Sequence, residues 1–201
     1  MYVLVLIFIM GRKAHFKRDE FMDAALRVVV ERGPGALTIA ALASGMKAPI
    51  GSVYHRFPSR DVLLAEMWIR VVESFQQGFL AALACNGLLA SLHTVNWVRE
   101  HPNEGRLLLL YRREDLLSGD WPDHLRDQIV RLSRELDSGI RSFVEKRFGS
   151  LTKETLRRAT FALVDVPLAA VRQHLQEGQP PPGIVDELIR ETYLAIIRGD
   201  Q

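Results

Sequence analysis

Two prolines, Pro49 and Pro58, set a ceiling on any helix between them. A proline in the first turn of a helix costs little, because the N–H it lacks would have no intrahelical partner there. Pro58 is different: it cannot continue a helix, and it disfavours helical geometry at Phe57. Just upstream, Gly45-Met46-Lys47 reads as a tight turn, preceded by a short helix carrying Ile39, Leu42 and Ala43 behind Thr38 as its N-cap. Ser59 caps a long helix that begins Arg60-Asp61-Val62-Leu63-Leu64. A chain punctuated this way folds as two short helices on a tight turn, braced by longer ones.

The first of those braces is the segment from residue 17, where Phe21, Ala25 and Val28 and the neighbouring series Met22, Leu26 and Val29 give a wide apolar stripe that stops at Gly33-Pro34-Gly35. On the short helix after the turn, Val53 and Phe57, with Ile50, form an inner stripe, and Pro49, Ser52 and His55 share the outer face. Ile50 stands between two assignments, core or outward contact. Small and polar residues outside leave room for something to approach closely. That arrangement is a helix-turn-helix whose second helix can enter a major groove.

Charge points the same way. The formal net charge is only +2, but residues 11–60 carry nine Lys/Arg against four Asp/Glu, and residues 61–201 carry seventeen against twenty. A compact basic region on a mildly acidic remainder suits a polyanion partner.

The block LTIAALASGMKAPIGSVYHRFPSRDVLL, residues 37–64, resembles the DNA-binding signature of the TetR family of transcriptional regulators. Leu37-Thr38, Ala43, the run Gly51-Ser52-Val53-Tyr54, Phe57 and Arg60 carry the likeness without a gap. The resemblance implies an all-α homodimer of about nine helices, with a three-helix DNA-binding domain over 11–58 and an effector-binding and dimerisation domain over 59–201. It also implies DNA contacts at Thr38, Ser52, Tyr54, His55 and Arg60, with Thr38 and Arg60 on phosphates at helix N-termini. The chain departs from the family pattern at Lys47, where members commonly have Gly, and at Pro49, where a Ser often opens the recognition helix. A lysine there carries a steric cost if φ is positive. Lys47 can reach a phosphate or a guanine edge, Pro49 and Ile50 lie beside it, and Ile50 can touch a thymine methyl. Tyr54 is expected to pack its ring and to offer its hydroxyl to a phosphate.

Beyond the signature, periodicity predicts helices at 59–85, 87–101, 103–118, 121–148, 152–177 and 183–198, separated by glycine and proline breaks. The last two carry apolar residues around too much of their circumference for a single face: Leu156, Ala159, Leu163, Val166, Ala170 and Val171 on one, Ile184, Leu188, Ile189, Ile196 and Ile197 on the other. A four-helix interface between two copies follows from this pattern, with packing inside one subunit as the other reading. Phe75, Phe79, His93, Trp97, Tyr111, Arg112 and Trp121 mix aromatic walls with polar groups and are the candidate effector residues, each equally readable as core.

Several functions are disfavoured. The six His are scattered, HExxH is absent, no glycine loop precedes a helix in the phosphate-binding pattern, and no metal-ligand spacing occurs. No enzyme, metal site or cofactor is therefore expected. The lone Cys85 excludes an intrachain disulfide, is read as buried late in a long helix, and suits a reducing cytoplasm. Residues 1–10, MYVLVLIFIM, are too few to span a bilayer and lack the flanks of a signal peptide, so translation is expected to begin at Met10; a short interfacial anchor or a tail tucked against the body are the rival readings. The expected partners are operator DNA, a small-molecule effector and a second copy of the chain, without a membrane. The competing function is a helical ligand-binding or protein-interaction module that has lost DNA binding.

Overall fold

The computed structural model describes residues 16–111, 113–116, 119 and 122–197, and among these the chain is helical with no strand. The apolar segment 1–10 and the start at Met10 lie outside the described residues. Among the described residues nine principal helices are formed, as expected. They are α1 (Arg18–Arg32), α2 (Ile39–Gly45), α3 (Ile50–Tyr54), α4 (Arg60–Cys85), α5 (Gly87–Glu100), α6 (Pro102–Leu110), α7 (Asp123–Phe148), α8 (from Lys153 to Gln176) and α9 (Ile184–Ile197). A 3₁₀ turn, Pro34–Ala36, precedes α2, and a single helical turn, Arg113–Leu116, follows α6.

Local chemistry explains the starts. Thr38, Ser59, Asn86 and Thr152 each accept a backbone N–H of the first turn of α2, α4, α5 and α8, supplying partners the helix itself cannot. The helix expected over 103–118 is shorter. It stops at Leu110 because Tyr111 turns extended, and the Tyr111 hydroxyl donates to the carbonyl of Val29 on α1 at 2.8 Å. Cys85 is also placed differently: as the last residue of α4 it is exposed, so the expectation of a buried thiol is corrected.

The N-terminal three helices and the body share one continuous core. Phe21, Val53 and Phe57 belong to the same cluster as Leu63, Leu64 and Met67 of α4, Val98 of α5, Leu107 of α6 and Ile189 of α9. α4, about 39 Å long at 1.5 Å per residue, thus completes the helix-turn-helix core with its first turns and lies against α5 and α7 farther on. Two buried polar side chains in the body are matched to backbone acceptors: Gln76 Nε2 donates to Leu132 O (2.6 Å), and Ser91 Oγ to Ala162 O (2.7 Å).

α8 is not uniform. Its middle, Phe161–Asp165, is wound as a π-helix, and Pro167 follows within two residues. Proline lacks the N–H that would close on the carbonyl four residues back, which removes one rung of the ladder and accompanies the wider turn. The wide turn also solves a phase problem. Ala159, Leu163, Pro167, Val171 and Leu175 are all buried, yet every fourth residue drifts about 40° per step on an ideal α-helix. Taking up one extra residue returns the lower half of the stripe to the core.

Arg99 fastens α9 to α5. Its guanidinium donates to Pro181 O (2.9 Å), Pro182 O (3.0 Å) and Asp186 Oδ1 (3.0 Å), clamping the proline run and the first turn of α9 together. The hydrogen bond from Arg99 holds the Asp186 carboxyl below its ordinary range. Replacing Arg99 by Gln is expected to cost about 2 kcal/mol, the scale of charge-assisted hydrogen bonds. Urea titration checks it, and a loss below about 0.5 kcal/mol, the scale of an exposed ion pair, would show that the clamp is ornamental.

Candidate nucleic-acid interface

α3 has only five residues, too short to persist alone in water, so its outward face is fixed by what lies beneath it. Val53 and Phe57 are fully buried, and Phe57 meets Phe21 edge to face at 6.5 Å between centroids. The Arg18 guanidinium lies over the Phe57 ring at 4.3 Å, pairs with the Glu66 carboxylate of α4, and donates to the Arg56 carbonyl at 2.6 Å. Arg56 in turn donates to the Ser52 carbonyl at 2.8 Å. Two arginines therefore satisfy carbonyls at the C-terminal end of the recognition helix, where cations complement the helix dipole. Neither arginine was singled out by sequence reasoning. Arg56 reaches back four residues, a local signal that was available, whereas Arg18 and Glu66 are 48 positions apart with no sequence pattern linking them.

The turn is built around Lys47, whose φ of 54° makes it the one non-glycine residue with positive φ among the described residues. The steric cost foreseen for a lysine at this position is thus incurred. Lys47 N–H donates to Ser44 O (3.1 Å) and Ala48 N–H to Ala43 O (2.9 Å), which close the turn. Pro49 is the N-cap residue of α3 rather than a member of its first turn, with φ −59° and ψ 132°. Its carbonyl accepts both the Ser52 N–H and the Ser52 hydroxyl, each at 2.8 Å, so the half-buried Ser52 side chain is engaged inside the motif.

Ile50 and Tyr54 stand outside, 49% and 51% exposed. The inner stripe is therefore Val53 and Phe57 alone, and the expected packing of the Tyr54 ring is corrected. Phe57 N–H donates to Val53 O at 2.8 Å, so Val53 and Phe57 stay in helical phase, while Ile50, the first residue of α3, stands clear of the core. Met46 and Ala48, half-buried against the core, occupy the end where Ile50 was expected. His55, Lys47, Pro49 and Thr38 are also exposed, with the Thr38 hydroxyl accepting Ala41 N–H at 3.0 Å. Arg60 is committed inward: Nε donates to Leu37 O (2.7 Å), Nη2 to Pro34 O (2.6 Å), and Nη1 lies 3.3 Å from the Asp61 carboxylate. It latches the loop before α2 to the start of α4. Part of the basic excess counted in the sequence is consequently spent on holding the motif together.

Of the candidate effector residues, four come together. Phe75 and Phe79 stack at 6.3 Å, Phe75 meets Trp97 edge-on at 5.1 Å, and His93 lies 5.1 Å from Phe75. They pack ring against ring in the interface of α4 and α5, and Gly78 leaves the space the His93 ring needs, since a Cβ there would stand 2.4 Å from Cε1. His93 Nε2 is 2.9 Å from the Phe75 carbonyl, and burial pushes the imidazole below its ordinary range. Tyr111 is elsewhere, bonded to α1, while Arg112 and Trp121 lie outside the described residues. A cleft of about 350 Å³ does occur in the body, between α5, α6 and the end of α8, but Phe75, Phe79, His93, Trp97 and Tyr111 do not line it. Among the described residues no group of His, Cys, Asp or Glu is arranged to hold a metal, and no helix is long and apolar enough to cross a membrane.

Residues 21–67 match the family model described as bacterial regulatory proteins, tetR family. A comparison with curated proteins found no match. Among solved structures, the fold is similar to a tetR-family transcription regulator from Shewanella sp. PV-4, with TM-score 0.67 and 18% identity over 90% of this chain and 96% of that one. It is also similar to the transcriptional regulator FadR from Bacillus subtilis in complex with stearoyl-CoA, with TM-score 0.68 and 12% identity over 92% of this chain and all of that one. The ketosteroid transcriptional regulator KstR2 of Mycobacterium tuberculosis aligns with TM-score 0.59 and 16% identity over 92% and 94%.

Two outcomes follow from this geometry. Lys47→Gly removes a left-handed strain of about 1 kcal/mol and is expected to raise the melting temperature, where Lys47→Val lowers it; equal melting of all three proteins would contradict the assigned turn. For His93, the folded value lies below the unfolded one near 6.5, so the unfolded chain binds more protons and stability drops as pH falls through that window. Between pH 7.5 and 5.5 the wild type should therefore lose more stability than His93→Asn, as read by parallel thermal melts.

Proposed function

We propose that this chain, a member of the tetR family of bacterial regulatory proteins, is a cytoplasmic repressor that leaves a near-palindromic operator when a small molecule binds its helical body. The family's proteins are transcription regulators, and DNA binding through the helix-turn-helix is the activity this domain carries. The observation that carries the reading is the outward face of α3. Ile50, Tyr54 and His55 project from a helix whose underside is fully buried, beside a closed turn that presents Lys47. Such a face offers a methyl surface for thymine, a hydroxyl and an imidazole for base edges or phosphates, and an ammonium for the backbone. Thr38 presents the start of α2, Ser52 and Pro49 shape the helix entry, and Arg60 acts by fixing the loop against α4. The competing module without DNA binding drew on Lys47 and Pro49, and both residues support a formed turn.

Two recognition helices in successive major grooves, about 34–36 Å apart, require a dimer. Phe161 on α8 and Ile184 and Leu188 on α9 are exposed, while Val185, Ile189, Tyr193 and Ile197 take the inward face of α9. These outward residues are the surface we assign to a four-helix contact between two copies. An effector that favours a dimer of different spacing lowers operator affinity by its differential affinity for the two states. The bound stearoyl-CoA of the Bacillus subtilis protein supports an effector role for a body of this fold. No catalytic role is assigned.

Selection from random duplex DNA at about 0.15 M salt is expected to enrich a palindromic site that the double variant Lys47→Ala/His55→Ala does not. Affinity for that site should fall steeply as salt rises. Light scattering should give twice the 22.8 kDa of one chain. A folded dimer that enriches nothing even at low salt, or a particle of 22.8 kDa, would overturn the reading.

A further inference from the structure

We propose that the cleft between α5, α6 and the proline run after α8 binds a small molecule with an oxyanion head on an apolar body, and that Arg106 takes the head. This deepens the repressor reading by naming where the effector sits and what chemistry it has. The cleft holds about 350 Å³, within the range that encloses small ligands, and Val98, Leu175, Pro102 and Pro180 give it apolar walls.

Arg106 is what makes the cleft specific. Its Nε–H is fully covered yet has no hydrogen-bond partner, and among the described residues the side chain makes no hydrogen bond or ion pair. Arg99, which lines the same cleft, spends its fork on two carbonyls and a carboxylate. A guanidinium cannot shed its charge in a protein, so a covered N–H cannot be relieved by deprotonation and is costly without an acceptor. A carboxylate or phosphate in the cleft relieves that cost by drawing the half-buried side chain toward it, where it supplies two acceptors in the geometry of the fork. A neutral acceptor such as a hydroxyl makes a weaker, single hydrogen bond to the fork.

The position of Arg106 also connects the cleft to the DNA-binding end. α6 carries Arg106 in its middle, lines the cleft with Pro102 and Asn103 at its start, and is followed by Tyr111, which is bonded to Val29 of α1. Gly105, next to Arg106, lies so near α5 that a Cβ would stand 3.0 Å from the Val98 side chain. Packed that tightly, α6 responds to a ligand drawn onto Arg106 as a body, and Tyr111 passes the displacement to the helix that supports Phe57.

Calorimetry on the full chain without DNA, using octanoate, octyl phosphate and octanol, tests the site. At least one of the two anions should bind the wild type tenfold or more tighter than octanol, and which of them binds better identifies the head as carboxylate or phosphate. Arg106→Gln should lose that preference while melting no lower than wild type in the absence of ligand. Equal affinity for the three probes, no binding at millimolar concentration, undiminished anion binding by Arg106→Gln, or a variant that melts well below wild type would each overturn the proposal. Tyr111→Phe should bind the preferred anion as wild type does but release operator less readily; release as in wild type refutes the α6 route. Binding is read without DNA, so a failure to find an operator would count against the repressor reading alone.

Discussion

Burial of Phe57 against Phe21 is the interaction on which the recognition surface depends. A five-residue helix has almost no cooperative stability of its own, and the buried side chains of Val53 and Phe57 hold it at a fixed angle. Phe57 lies beyond the helix it anchors, so the orientation of α3 is set from its C-terminal side. Arg18 covers a face of that ring and ties it to Glu66, which puts α1, α3 and α4 under one constraint. Removing any one of the three partners would loosen a surface that none of them touches.

The continuous core has a functional meaning. Leu63, Leu64 and Met67 of α4 complete the small N-terminal domain, and the cluster they join extends to Leu107 on α6 and Ile189 on α9. Because one cluster of buried apolar residues runs from the N-terminal helices into the body, a displacement in the body has packed side chains to travel through. The Tyr111–Val29 hydrogen bond and the ion pair of Arg70 with Asp23 at 2.6 Å add polar ties across the same boundary.

How much could be read in advance depends on the range of the interaction. Thr38 and Ser59 act within three residues, and both cap the helices that the sequence indicates. The cost of a lysine at position 47 follows from one dihedral angle. Ile50 was harder, because it is the first residue of α3 and Met46 and Ala48 from the preceding turn already pack on the core at that end. Arg18 with Glu66 and Arg60 with Pro34 are distant in sequence, so counting them as free cations overstated the charge available to a polyanion. Cys85 reads as buried from its apolar neighbours but falls on the last residue of α4, where the helix emerges. The body was legible as helices and not as a site: the aromatic residues that sequence reasoning gathers do meet at Phe75, Phe79, His93 and Trp97, yet they fill space, and the open cleft is lined by residues with no shared pattern.

The wide turn in α8 bears on how residue roles transfer between relatives. One extra residue is absorbed inside a continuous helix, so a homologue without it would align with a gap in the middle of a regular element, where alignment procedures resist placing one. Correspondences would then be right on the Ala159 side and shifted by one position, about 100° of arc, on the Val171 side. For a chain that shares fewer than one residue in five with the solved structures of its fold, the three-dimensional superposition and not the sequence register is the frame in which positions along α8 and beyond can be compared.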